Sequence, residues 1–180
     1  MYKTIVVTPA SVEPISSQEA NNQLRIEDGD DDSHRDLLIS VARDKAEKYC
    51  NRFFTEQTVK IVFDGGFDID KIDLPYPDIQ SVSSITYIDT DNDVQTVTGY
   101  TLFSDQQVIY PSVTFPSDAK SYTVEVVTGA PEEIGGAKIG MLMMMTDLYE
   151  LRTESVVGFS VAENPAVCAS LYPYRVNLGV

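Results

Sequence analysis

The sequence has no tryptophan, a single histidine, two cysteines, and 13 basic residues against 28 acidic ones. Each scarcity narrows the range of functions. With His34 alone, no two-histidine metal site can form. A catalytic role for it would rest on a residue set among acids at the start of a helical stretch, where a solvated helix-start role is the simpler account. Cys50 and Cys168 have neither a CxxC partner nor a neighbouring base, so packed, reduced thiols are expected over a redox pair. A formal charge of -15 opposes ordinary nucleic-acid binding, in which Lys and Arg displace phosphate counterions. It is compatible with a channel through which DNA slides without sticking. The longest apolar run, Ile139 to Met145, falls far short of the roughly twenty residues that span a bilayer. No basic-then-apolar leader opens the chain. A protein made in the cytoplasm, with no membrane partner, is therefore expected.

What is present suits a globular chain with a real core: 180 residues, 43% hydrophobic and 23% charged. The charge is uneven, because residues 55–130 carry twelve acids against three bases. Two signposted helices lie between Pro14 and Phe54. Ser16 can cap the first, Glu19 can answer it three residues on, and Ile15 can clasp Ala20 as a hydrophobic staple. The acidic run from Asp28 to Ser33 breaks that helix and caps the next. There Leu37, Leu38, Val41, Ala42, Ala46, Tyr49 and Phe53 recur at steps of three and four, predicting one buried face. Thr4 to Pro9 reads as a short extended piece, either a strand or an arm that pairs with a neighbouring subunit.

From Thr58 the period changes to two. Strands are predicted at Thr58–Phe63 (turning at Gly65-Gly66), Ile79–Asp89, Val94–Val97, Tyr100–Phe103, Gln107–Tyr110 and Tyr122–Thr128, with Lys71–Pro77 extended. Pro131, Glu132 and Glu133 suit the first turn of a new helix. That helix shows one apolar face through Ile134, Ala137, Met141, Met144, Leu148 and Leu151, and a second through Ile139, Leu142, Met145 and Tyr149. It therefore needs cover on both sides. Thr153 to Asn164 reads as a loop, Pro165 to Leu171 as a short last helix, and Tyr172 to Val176 as a stiff aromatic tail.

Two aspartate series have the alternating spacing that opens an EF-hand loop: Asp28, Asp30 and Asp32, and Asp89, Asp91 and Asp93. Both lack the glycine at position six (Ser33, Val94) and the glutamate at position twelve (Ile39, Tyr100), so a helix cap and a hairpin turn are the better readings. Gly135, Gly136 and Gly140 are followed by no Lys-Ser/Thr pair and form no phosphate loop; small residues there let another helix approach. Met141, Met143, Met144 and Met145 offer either core filling or an adaptable docking surface. Glu132 and Glu133 point apart on a helix, which argues against an acid–base pair. No catalytic, cofactor or metal site is expected.

In sequence order, the features resemble the head–tail connector (adaptor) proteins of tailed bacteriophages. The resemblance is carried by the proline-led first helix, the acidic break, Tyr49-Cys50-Asn51-Arg52-Phe53-Phe54, and Leu74-Pro75-Tyr76-Pro77-Asp78-Ile79-Gln80-Ser81-Val82 followed by Ile85-Thr86-Tyr87-Ile88-Asp89. Val124 to Gly129 with Pro131 to Ile134, and the closing Leu171-Tyr172-Pro173-Tyr174-Arg175, complete it. The methionine- and glycine-rich start of the third helix and the long acidic β region depart from that pattern.

The resemblance implies an α+β fold with a helical core (an N-terminal helix pair plus a long C-terminal helix) and an inserted, mostly antiparallel β subdomain. It implies a single adaptor domain over 1–180, made of an N-terminal arm and helix pair (1–54), the β subdomain (55–130), and the long helix, short helix and tail (131–180). It also implies a homo-oligomeric ring of twelve beneath the portal, joined below to the next neck or tail protein, with genomic DNA passing through unbound. Another neck or tail-completion protein, or a calcium-dependent binding module, are the alternatives. Contacts with the portal or a neighbouring copy are expected at Tyr172, Pro173, Tyr174 and Arg175, since proline-stiffened aromatics lose little entropy on docking. Met141, Met144 and Met145 are the other expected contacts.

Overall fold

The computed structural model describes residues 2–27, 29, 31–64, 70–112, 115, 116, 118–129, 131, 134–151 and 164–176. Asp28, Asp30, Gly65, Gly66, Glu132, Glu133 and the 153–163 stretch, named above, lie outside them. The chain divides into two compact units. A β unit takes Met1–Ser11 and Thr55–Ala130, and a helical unit takes Val12–Phe54 and Pro131–Val180.

In the β unit, β1 (Tyr2–Thr8), β2 (Gln57–Asp64), β4 (Ile79–Ile88), β5 (Val94–Thr96) and β8 (Ser121–Thr128) form an antiparallel sheet of order β1-β2-β8-β4-β5. A smaller sheet orders β3 (Ile72–Asp73), β7 (Val108–Pro111) and β6 (Tyr100–Phe103) as β3-β7-β6. The alternation in β2 and β8 reflects the two-residue period of a strand: Val59, Ile61 and Phe63 on one strand, and Tyr122, Val124 and Val126 opposite them, are buried. Ile85 joins them across the other side of β8, opposite Val124. Each such side chain contributes about 1.5–3 kcal/mol on burial. The Tyr100 hydroxyl donates to the Val82 carbonyl at 3.2 Å, tying β6 to β4. Thr4 to Pro9, left open between strand and arm, is strand β1, paired antiparallel with β2 from Tyr2↔Phe63 to Thr8↔Thr58.

The helical unit holds α1 (Ser17–Leu24), α2 (Asp32–Cys50), α3 (Gly135–Leu151) and α4 (Pro165–Leu171). The Ser16 hydroxyl accepts from the Glu19 amide at 3.2 Å and the Glu19 carboxylate accepts from the Ser16 amide at 2.8 Å, so the expected capping box is complete. α1 ends at Arg25 with φ 58°. Asp31 precedes α2 with φ 53° and caps it with no side-chain hydrogen bond, contrary to the expected acidic cap. Instead, Asp32 accepts from Arg35.

The buried face of α2 also differs from the periodic expectation. Leu38, Ile39, Ala42, Ala46 and Cys50 are buried, whereas Leu37 is 58% exposed. The face turns because Arg35 and Glu47, both buried, take its flanks with polar partners in place. Arg35 donates to Asn21 on α1 at 3.0 Å and to Asp36. Glu47 accepts from Arg43 at 3.1 Å and from the Phe54 amide at 2.8 Å, while Arg43 also donates to Glu13 at 2.7 Å.

The expected architecture, a helical core closed by a long C-terminal helix and interrupted by a β subdomain, is overturned. The β unit has its own buried core and draws its edge strand from the first residues of the chain, so residues 55–130 are not a self-contained insertion into helices. The four α-helices of the described residues have 8, 19, 17 and 7 residues, and the last in sequence is the shortest. α3 begins at Gly135, with the Lys138 amide donating to the Ile134 carbonyl, four residues later than Pro131 suggested. Glu47→Ala should lower the stability of the helical unit by about 1–3 kcal/mol, because it takes the carboxylate acceptor from the Phe54 amide and one of the two carboxylates from Arg43, Glu13 remaining. Urea unfolding followed by helix circular dichroism measures this, and a loss below about 1 kcal/mol would count against the cluster.

Candidate functional site

The tail is built on α3 and α4. Asn164 caps α4 by accepting from the Ala166 amide at 3.1 Å, with Pro165 in the first turn where its missing N–H costs nothing. Leu171, fully buried, sits where a Cβ on Gly140 would lie 3.0 Å from its Cγ. The small residues of α3 thus admit α4, as the sequence predicts. A Cβ on Gly136 would lie 3.0 Å from the Tyr174 hydroxyl oxygen, which accepts from the Gly136 amide at 3.1 Å. A 3₁₀ turn, Tyr172–Tyr174, then carries the chain back to the end of α2. There the Val176 amide donates to the Cys50 carbonyl at 2.8 Å and Asn51 Nδ2 donates to the Val176 carbonyl at 3.2 Å. The Arg175 guanidinium lies 5.4 Å from the centroid of the Tyr49 ring.

This geometry separates the expected contact residues. Tyr172, 66% exposed, stands out with Pro173 and Arg175. Tyr174 packs inward, edge-on to Phe54 at 6.0 Å. Met141 and Met145 are fully buried with Ala137 on a stripe at steps of four, filling the unit's own core, and Met144 is half-buried beside it. The Met145 face expected to be separate is therefore the same face as Met141, and Ile139 remains 52% exposed.

A second exposed surface lies on β1, the stretch that the sequence left open between a strand and an arm pairing with a neighbouring subunit: Ile5, Val6 and Val7 are each close to half exposed. Consecutive side chains point to opposite faces of a strand, so both faces of β1 are open here, and β1 is also an end strand of its sheet.

The remaining candidates are structural. Asp89 accepts from the amides of Asp91 and Asp93 and from Gln95 Nε2, and these bonds hold its carboxyl below the usual range, Gln95 contributing most. That is a turn, as expected. His34 is half-buried with its ring 5.9 Å from Tyr149. Among the described residues no three His, Cys, Asp or Glu side chains are grouped to hold a metal ion. Burial pushes the Cys50 thiol up to about 11 from 9.0, and its Sγ donates to the Leu171 carbonyl at 3.5 Å.

The sequence matches no protein-family model and no curated protein. Its structure is similar to solved chains of gene transfer agent (GTA) particles. A chain in the neck of an empty GTA particle, computed with C6 symmetry, superposes with a TM-score of 0.72 at 16% identity, covering 100% of this chain and 97% of that one. A chain in the virion of a native GTA particle gives 0.72 at 15% identity, covering 98% and 97%. One in the neck of a native particle, computed with C12 symmetry, gives 0.70 at 15%, covering 100% and 97%. At these identities the likeness is one of fold.

Two outcomes test the packing. Gly135→Ala, with nothing within 4 Å of its added carbon, should be neutral or gain up to about 1 kcal/mol. Gly140→Ala should cost about 1–3 kcal/mol because Leu171 must move; equal melting temperatures for the two variants would contradict the close approach. A thiol reagent at neutral pH should label half-buried Cys168 and spare Cys50 until denaturant is added. With its folded pKa raised, Cys50 contributes stability that is fully present below pH 9 and lost as pH rises toward about 11. Cys50→Ala should flatten that part of the stability curve.

Proposed function

We propose that this chain is a structural virion protein of the neck, a head–tail adaptor that works as a single adaptor domain in a ring under the portal. The observation that carries the proposal is the fold likeness over essentially the whole chain to neck components of GTA particles, two of them in assemblies computed with sixfold and twelvefold symmetry. The order of motifs in the sequence supports the same reading independently. A ring needs heterologous contacts, in which one surface meets a different surface on the next copy. The exposed tail turn and the free β1 edge are two such unlike surfaces. The function is docking and continuity: holding the portal above, presenting a platform to the next neck or tail protein below, and letting DNA pass. The acidity of the chain repels phosphate and keeps DNA from adhering to the wall.

The portal contact in this reading runs through Tyr172 and Pro173, with Arg175 beside them toward a neighbouring copy. Deleting residues 172–180 would also remove the packing of Tyr174 and Val176, so point substitutions separate docking from folding. Tyr172→Ala should leave the melting temperature within a few degrees of wild type and weaken portal binding at least about tenfold, the loss of one middling interface anchor. Electron microscopy of the protein mixed with its portal, with a titration of the variant, provides the check. A ring capping the portal and lost in the variant supports the adaptor. A protein that ignores the portal and joins a tail component instead supports another neck or tail-completion role.

A further inference from the structure

We infer that a basic surface at the end of α2 closes the ring by docking on the carboxylate-rich β unit of a second copy. This rests on the ring reading above and names the surfaces that meet. Lys45 and Lys48 project from the last two turns of α2 on the side of Tyr49, and Arg175 lies over the Tyr49 ring. All three bases are exposed. The neighbouring acid, Asp44, pairs with Lys48 at 2.6 Å, but both groups are largely solvated (Lys48 74% and Asp44 54% exposed), so the pair is weak and exchangeable. Glu47, the other acid of these turns, is buried and held by Arg43. Lys48 in the last turn complements the helix dipole. Lys45 and Arg175 add positive charge that the helix itself does not require.

Three of the other bases of the described helical unit are committed elsewhere, and half-buried Arg52 lies over the Phe54 ring. Arg35, Arg43 and Lys138 are in ion pairs with acids of the same unit, and exposed Arg25 sits at the end of α1. The β unit has the opposite balance, twelve acids to four lysines. Lys60 and Lys71 are paired to Glu125 and Asp73, and Lys120 is bound to the β4–β5 turn through Thr90 and Asn92. Asp64, Asp91, Asp93, Asp105 and Asp118 are exposed. Copies that each carry -15 repel one another unless their contact sets unlike charges together. Among the described residues, the α2 end is where exposed bases gather, and the β unit is the acidic partner that every additional copy brings. DNA is the weaker candidate for this surface, since three bases on so acidic a chain would displace few counterions.

The experiment compares wild type, Lys45→Glu/Lys48→Glu and the control Arg25→Glu, each mixed with the portal and imaged, with circular dichroism melts to confirm folding. Wild type should close rings. The double variant should still load singly on the portal, yet need about tenfold more protein to close a ring, while the control behaves as wild type. Ring closure by the double variant at wild-type concentration overturns the inference and leaves the ring reading standing. So does a defect confined to portal loading or to DNA retention, because the surface then has a different occupant. If wild type forms no ring, alone or on the portal, the ring reading itself fails, and this inference fails with it.

Discussion

The helical unit depends on how closely two backbones approach at Gly140. A side chain there would meet Leu171 at 3.0 Å, so the glycine sets how near α4 can come to α3. That approach seats Leu171 in the core with Met141 and Met145 and brings the following turn over Gly136, where Tyr174 is bonded. From Tyr174 the chain reaches the C-terminal end of α2, where Val176 and Asn51 complete the junction. One missing methyl group therefore determines whether Tyr172 and Arg175 are presented on a rigid base or on a loose end. A rigid base is what an anchor residue needs, because the entropy of ordering it is then spent in folding and not in docking.

Most of the local structure was legible because its signals are local. Ser16 and Glu19 specify their own capping box; the two-residue period of Thr58–Phe63 and Tyr122–Thr128 specifies strands; Pro165 opens a helix whose first turn tolerates it. What could not be read depends on partners far along the chain. The buried face of α2 excludes Leu37 because Arg35 finds Asn21 fourteen residues away and Glu47 finds the Phe54 amide, and neither polar residue counts in an apolar period. The membership of β1 in a sheet with β2 is a pairing across more than fifty residues, which no local pattern encodes. For the same reason the helical-core architecture was the wrong expectation: the helices are adjacent in sequence to the strands, but the first strand belongs with the later ones.

Which of the candidate contact residues would be exposed was less legible than the fold. Tyr172 and Tyr174 are chemically alike and one proline apart, and only the Gly136 amide distinguishes the one that packs from the one that projects. The methionines show the same limit. Residues 141, 143, 144 and 145 cover more than half a helical circumference, so composition alone cannot say which face is core. The helices packed around α3 decide it, burying 141 and 145 among residues of α1, α2 and α4 and leaving 143 and 144 at the margin.

Charge gives the assembly argument its direction. A strongly acidic chain can be soluble and can pass DNA, yet the same charge works against bringing many copies together. A distribution in which exposed bases of one unit gather at the end of α2, while the other unit exposes Asp64, Asp91, Asp93, Asp105 and Asp118, eases that conflict without lowering the net charge. It also favours heterologous over two-fold pairing, since like surfaces meeting would set lysine against lysine or carboxylate against carboxylate. The sign pattern thus favours head-to-tail contact, which closes into a ring where the rotation between copies divides the circle and runs on as a filament where it does not.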